Sequence, residues 1–163
     1  MKLNGKKFMV IGGAGLIGSH TIENLLKEDI KEIVVYDNFT RGRVENLEDA
    51  LKDPRVSIHD VGGDILQTDI LTAAMKNREI DGVFHLAALW LLQCHDFPRS
   101  AFNTNVAGTF NVMEACVANN INRLVWSSSA SVYGDSVTEP MEEDHPFNNK
   151  NFYGATKICG EAM

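Results

Sequence analysis

Tyr153 and Lys157 stand four residues apart in Tyr153-Gly154-Ala155-Thr156-Lys157. On a helix that spacing puts both side chains on one face. A free phenol ionises near pH ~10, too high for a base at neutral pH. A neighbouring ammonium favours the phenolate. A phenol tuned in this way can take a proton from a sugar or alcohol hydroxyl as hydride leaves the same carbon. Upstream, Ser127-Ser128-Ser129-Ala130-Ser131 follows a short apolar run. Hydroxyls at the carboxyl end of a strand can face a cofactor, and one of them can hold the substrate oxygen in line.

The acceptor for such a hydride is implied by the other end of the chain. Phe8-Met9-Val10-Ile11 runs into Gly12-Gly13-Ala14-Gly15-Leu16-Ile17-Gly18. Gly12 suits a tight turn, Gly15 lets a pyrophosphate approach the backbone, and Gly18 lets the following helix lie close to the strand. The helix opening at Leu16 and Ile17 then points unpaired N–H groups and its positive end at phosphate oxygens. Asp37 ends the second apolar run, 19 residues after Gly18. That is where a dinucleotide fold places the carboxylate that accepts hydrogen bonds from the adenosine ribose. A carboxylate there repels a 2′-phosphate, which favours NAD over NADP. Arg41 and Arg43 nearby leave the second cofactor open.

These groups need a frame. Apolar runs at Phe8–Ile11, Ile33–Tyr36, Val56–Ile58, Val83–Leu86 and Leu124–Trp126 read as five strands. They are continuous rather than alternating, so both faces of the sheet should be covered. Between them, Gly15–Lys27 carries Ile17, Ile22, Leu25 and Leu26, and Thr68–Asn77 carries Ile70, Leu71, Ala74 and Met75. Pro98–Asn119 should form the longest helix, with Phe102, Val106, Phe110, Met113 and Val117 as its apolar stripe. Another helix should begin at Asn151. Strand and helix in alternation imply an α/β fold with a parallel sheet and right-handed crossovers.

Composition excludes several classes. The 163 residues are 44% hydrophobic and 23% charged, with a formal net charge of −7. That is globular rather than disordered or fibrous composition. The acidic balance offers no basic face for nucleic acid or an acidic membrane. No apolar run approaches the ~20 residues of a membrane span. Cys94, Cys116 and Cys159 form no C-x-x-C pair, so neither a disulfide framework nor a metal site is expected, and a cytoplasmic setting is.

Taken together, these segments resemble the short-chain dehydrogenase/reductase superfamily, and in particular its extended branch of nucleotide-sugar epimerases and dehydratases. The resemblance runs over essentially the whole chain. Gly12 to His20 is similar to the branch's dinucleotide turn. Tyr36-Asp37-Asn38 looks like its second strand end, with Asn38 close to the ribose. Gly63-Asp64-Ile65 resembles the segment that reaches the adenine. His85-Leu86-Ala87-Ala88 resembles the strand end that lines the cofactor. Asn105 matches the helix asparagine that helps order the active site, and Ser129, Tyr153 and Lys157 match the catalytic triad.

The resemblance implies a Rossmann-type doubly wound parallel sheet with helices on both faces and NAD as cofactor. Lys157 would also bind the nicotinamide ribose, with Ser127 and Tyr153 beside the cofactor. Dehydratases of this kind carry an Asp-Glu pair after the triad hydroxyl, where this chain has Ala130 and Ser131. That favours a 4-epimerase of a UDP-sugar over a dehydratase. A keto-sugar reductase and a catalytically silent NAD-binding module remain as alternatives.

Two features depart from the pattern. Leu89-Trp90-Leu91-Leu92-Gln93-Cys94 is more apolar than in familiar sugar epimerases, near the expected substrate mouth, where Trp90 would either stack on a ring or pack. The chain also stops six residues after Lys157, where relatives continue into a C-terminal substrate domain. One NAD-binding domain over 1–163, cut in the helix of Tyr153 and Lys157, is therefore expected. It would pair with itself or be completed by another chain, with weak or absent turnover alone.

Overall fold

The computed structural model describes residues 2–163. Five strands form one parallel sheet: β1 (Lys7–Ile11), β2 (Glu32–Tyr36), β3 (Val56–Ile58), β4 (Gly82–His85) and β5 (Arg123–Trp126). Their spatial order is β3-β2-β1-β4-β5, so the chain winds outward in one direction and then returns past β1 to go the other way. That reversal at the carboxyl ends of β1 and β4 is the position where doubly wound sheets bind ligands. Ile11 lies in register with Tyr36 on one side and with His85 on the other.

All five strands belong to the first of two compact units, residues 1–87 and 111–126. Alternation along each strand sends successive side chains to opposite faces. Met9, Ile11, Val34 and Tyr36 pack with Leu71, Ala74 and Met75 of α2 (Thr68–Arg78) and with Val112, Ala115 and Cys116 of α5 (Thr109–Ala118). Phe8, Val10, Ile33 and Val35 pack on the other face with Ile22 and Leu25 of α1 (Leu16–Leu25). Each such fully buried aliphatic side chain contributes roughly 1.5–3 kcal/mol. Cover on both faces thus explains the continuous apolar runs of β1 and β2, whereas β5 departs from the expectation, with Val125 43% exposed.

The second unit comprises residues 88–110 and 127–163. It holds α3 (Leu91–Asp96), α4 (Pro98–Ala101), a π-helical stretch (Phe102–Gly108) and α6 (Phe152–Ala162). α3 has no counterpart among the expected elements. Between residues 98 and 118 the helix runs as expected, but its central seven residues are π-helical.

The expected apolar stripe of that helix is corrected. Phe102, Phe110 and Val117 are 45, 48 and 78% exposed, whereas Val112, Ala115 and Cys116 are buried. The smaller side chains face the sheet because they let the helix approach it closely. Ile17 of α1 is also exposed rather than core. Among the described residues no helix is long and apolar enough to cross a membrane.

Candidate functional site

The glycine turn of the first unit is closely built. Gly12 has φ +79°, a left-handed conformation that disfavours any side chain, and its amide donates to the Tyr36 carbonyl at 2.9 Å. A Cβ on Gly12 would lie 2.6 Å from the Ala87 nitrogen. A Cβ on Gly18 would lie 2.2 Å from the Gly12 carbonyl oxygen. The turn is therefore pressed between the β4 strand end and the opening of α1, with no room for larger residues. Gly12→Ala should destabilise the fold by roughly 2 kcal/mol or more. A thermal melt checks this; an unchanged melting temperature would contradict the tight turn.

Gly15 caps α1 with no side-chain hydrogen bond, and no acidic residue occupies the first turn. The positive end of the helix is not neutralised from within, which suits a pyrophosphate. Leu16 and Ile17 turn their side chains to solvent, so any contribution they make to binding comes from the backbone.

Asp37 is 8% exposed. One carboxylate oxygen accepts the Ala14 amide at 2.9 Å and the other the Phe39 amide at 2.8 Å. The carboxylate thus holds the glycine turn against the end of β2. Asn38 stays at the surface and accepts the Thr40 amide. The Gly63 amide donates to the Asp37 carbonyl at 3.1 Å. The Tyr36 hydroxyl donates to the Asp64 carbonyl at 3.2 Å. Burial, helped by the Asp64 charge, pushes the Tyr36 phenol up to about 12, so it stays a donor. Asn111 donates to the Ile65 carbonyl at 2.9 Å. Asp37, Asp64 and Ile65 are therefore brought together around one strand end, with the Ile65 side chain buried in the core. Leu86 continues from β4, its amide donating to the Ile11 carbonyl at 2.8 Å. From sequence Tyr36 is read only as part of the Tyr36-Asp37-Asn38 strand end, with no role for its hydroxyl, and Asn111 is not read at all.

The glycine cradle, the unneutralised helix end and the buried acid at Asp37 fit a dinucleotide. Asp37→Ala should weaken NAD binding about tenfold and relax discrimination against NADP. It should also lower the melting temperature, because the Ala14 and Phe39 amides lose their acceptor. Titration with both dinucleotides decides; an unchanged preference would remove Asp37 from the ribose.

In the second unit, α6 carries Tyr153 and Lys157. Asn151 caps it, its side chain accepting the Gly154 amide at 2.8 Å. At Gly154 a Cβ would lie 2.4 Å from the Ser131 carbonyl oxygen, so the helix start is pressed against the serine turn. Ser129 caps that turn, its hydroxyl accepting the Ser131 amide at 3.1 Å. Lys157 is 3% exposed. Its ammonium donates to the Ser127 carbonyl at 2.8 Å and lies 5.7 Å from the centre of the Tyr153 ring. Burial pulls its pKa down to about 8, with the Cys94 thiol pulling the other way. At neutral pH it is still mainly an ammonium.

Ser127 thus meets Lys157 through its carbonyl, while the Ser128 hydroxyl pairs with the Glu161 carboxylate. Asn105 is buried and bonded to Thr156 in α6. Ala88 opens this unit; Ala87 closes the first stretch of the other. Tyr153, Lys157, Ser127 and Asn105 are hence assembled around one helix. Among the described residues no cluster of three or more metal-ligating side chains occurs.

Comparison with known proteins gives the family. The profile of the NAD dependent epimerase/dehydratase family matches residues 8–163. The chain belongs to that family. A UDP-glucose 4-epimerase of Dictyostelium discoideum is 33% identical over 160 residues, covering 96% of this chain and 46% of the relative. Among solved structures, the UDP-Glc/GlcNAc 4-epimerase of Campylobacter jejuni aligns with a TM-score of 0.89 at 30% identity, covering 97% of this chain and 47% of that one. UDP-glucose 4-epimerase from Brucella ovis, solved in complex with NAD, aligns at 0.86 and 31% identity, covering 97% and 46%. The chain spans about half the length of the relatives it matches. The doubly wound sheet and the family expected from the motifs both hold.

Proposed function

We propose that residues 1–163 form the NAD-binding and proton-transfer portion of a UDP-sugar 4-epimerase. The observation that carries this is the phenol–ammonium pair on α6, with Lys157 buried and aimed by the Ser127 carbonyl, in a chain of the epimerase family. Gly12, Gly15 and Gly18, with the backbone of Leu16 and Ile17, would hold the pyrophosphate. Asp37 and Asn38 would hold the adenosine ribose, and Asp64 and Ile65 would take the adenine. Leu86, Ala87, Ala88, Asn105 and Ser127 would line the rest of the dinucleotide. Bound there, NAD supplies a reversible hydride acceptor.

Tyr153 as phenolate takes the proton of the sugar hydroxyl and gives it back when the other epimer forms. The Lys157 ammonium would place positive charge beside the phenol and would hold the nicotinamide ribose. The Ser129 hydroxyl donates to the substrate oxygen and keeps it in line. Ala130 and Ser131 offer no acid or base for eliminating water, which supports epimerisation over dehydration. Incubation with UDP-glucose, UDP-galactose and their N-acetyl forms tests this. Interconversion without net NADH is the expected result, and stoichiometric NADH consumption would instead mark a reductase.

A second reading is a silent NAD-binding module acting through a partner. Native mass spectrometry separates the two: retained dinucleotide with no epimer formed supports the module. We further propose self-association. Phe102 and Phe110 leave an apolar helix face in solvent, and a second copy of the chain would cover it. Sedimentation as a monomer at micromolar concentration would exclude this. The three free thiols support a cytoplasmic setting.

A further inference from the structure

Asn105 lies within the π-helical stretch and is 2% exposed. Its side-chain oxygen accepts the Leu89 amide at 2.8 Å. Its Nδ2 donates to the Leu89 carbonyl at 2.9 Å and to the Thr156 hydroxyl at 3.2 Å, with the Cys94 sulfur at 3.4 Å as a further acceptor. The Cys94 thiol donates to the same Leu89 carbonyl at 3.3 Å. The Thr156 hydroxyl donates in turn to the Tyr153 carbonyl at 2.7 Å. These groups form one buried polar network inside the second unit. It runs from the backbone at Leu89, through Asn105 and Thr156, to the backbone of Tyr153.

A valine would fill the place of Thr156 with the same shape. It would also spare the desolvation of a hydroxyl, which is compensated only by bonds to good partners. The hydroxyl is therefore explained by what it joins. π-Helical turns give up regular backbone bonding and occur most often at functional sites, and this one carries the asparagine that reaches α6. Gly154 is already pressed on the Ser131 carbonyl. A second tie at Thr156, one turn after Tyr153, fixes the rotation of the helix about its axis and hence the aim of the phenol.

We propose that Thr156 is a positioning residue for Tyr153, its hydroxyl bridging the Asn105 amide to the Tyr153 carbonyl. This rests on the proton-transfer role of Tyr153 argued above. A misplacement of about 1 Å in a reacting group lowers the rate about 100-fold, so loss of the tie should be visible in kcat.

Thr156→Val, Thr156→Ser and Thr156→Ala in the full chain test this. Thr156→Val should lower kcat for UDP-glucose epimerisation roughly ten- to 100-fold, with KM and NAD affinity within about twofold of the starting protein. Thr156→Ser should restore kcat to within about threefold, because it keeps the hydroxyl. A purely structural role would lower the melting temperature but leave kcat of the folded fraction unchanged, and would overturn the proposal; so would failure of serine to rescue. If Thr156→Val does not fold, Thr156→Ala against Thr156→Ser gives the same comparison.

The crystal structure of Thr156→Val, set against that of the starting protein, is the second readout. In the starting protein the Lys157 ammonium lies 5.7 Å from the centre of the Tyr153 ring. Thr156→Val should turn α6 and move that ring relative to the ammonium by about 1 Å, and an unmoved ring overturns the proposal. Should the starting protein show no turnover, the proposed epimerase activity fails, while this structure still decides the role of Thr156.

Discussion

Tyr153→Phe is expected to lower epimerisation by about a thousandfold or more, in the range seen when a positioned acid–base group is lost. The substitution keeps the ring and its packing in the half-buried start of α6 and removes only the hydroxyl. Lys157, 5.7 Å from the ring centre and mainly charged at pH 7 with its pKa near 8, stays in place beside the ring. NAD affinity should stay within about twofold, because the turn at Gly12–Gly18 and the acid at Asp37 lie on other elements. The melting temperature should change little, since among the described residues no hydrogen bond depends on the phenol of residue 153 in the way that one depends on Tyr36. Turnover within tenfold of the starting protein would remove Tyr153 as the base. A parallel loss of NAD binding would make the effect one of cofactor affinity instead.

Much of the frame was legible because single residues carried its constraints. Gly12 and Gly18 announce the turn, since no side chain fits against Ala87 or the Gly12 carbonyl. Asp37 announces the end of β2, because it must accept amides from both Ala14 and Phe39. The helix at 98–118 misled for a physical reason. It has two apolar faces, and periodicity finds both without saying which is inside. The bulky face of Phe102 and Phe110 looked like core, but Ala115 and Cys116 are what allow contact with the sheet. The π-helical centre also breaks the regular period on which such a reading depends.

α3 escaped notice because six residues are too few to show a repeat. In the site, Tyr153 and Lys157 could be paired from their spacing. The tie from Thr156 to Asn105 joins residues 51 apart and from Asn105 to Leu89 residues 16 apart. No local pattern encodes such bonds, and only the folded chain displays them.

Lys157→Met should separate stability from activity. Burial holds the Lys157 pKa near 8, against 10.5 for an ordinary lysine. The folded chain therefore binds this proton less tightly than the unfolded chain does. Between about pH 8 and 10.5 the unfolded chain keeps a proton that the folded one has released, so this group makes stability rise with pH through that window. Below about pH 8 both states are protonated, and the full cost of burying the charge, roughly 3 kcal/mol, is present.

Methionine removes that cost and fills much of the same volume, while the Ser127 carbonyl loses its donor at about 1 kcal/mol. The variant should be more stable at pH 7 by roughly 1–2 kcal/mol, and its stability should no longer climb between pH 8 and 10. Epimerisation should meanwhile fall at least about 100-fold, because the phenol loses its ammonium. Denaturant melts across pH, paired with turnover assays, measure both effects. A destabilised variant with the same rise above pH 8 would show that Lys157 is not the buried charge responsible. A more stable variant with undiminished turnover would free the lysine from catalysis altogether. The expected pairing, gain in one and loss in the other, is what a charge kept inside a fold for chemistry should produce.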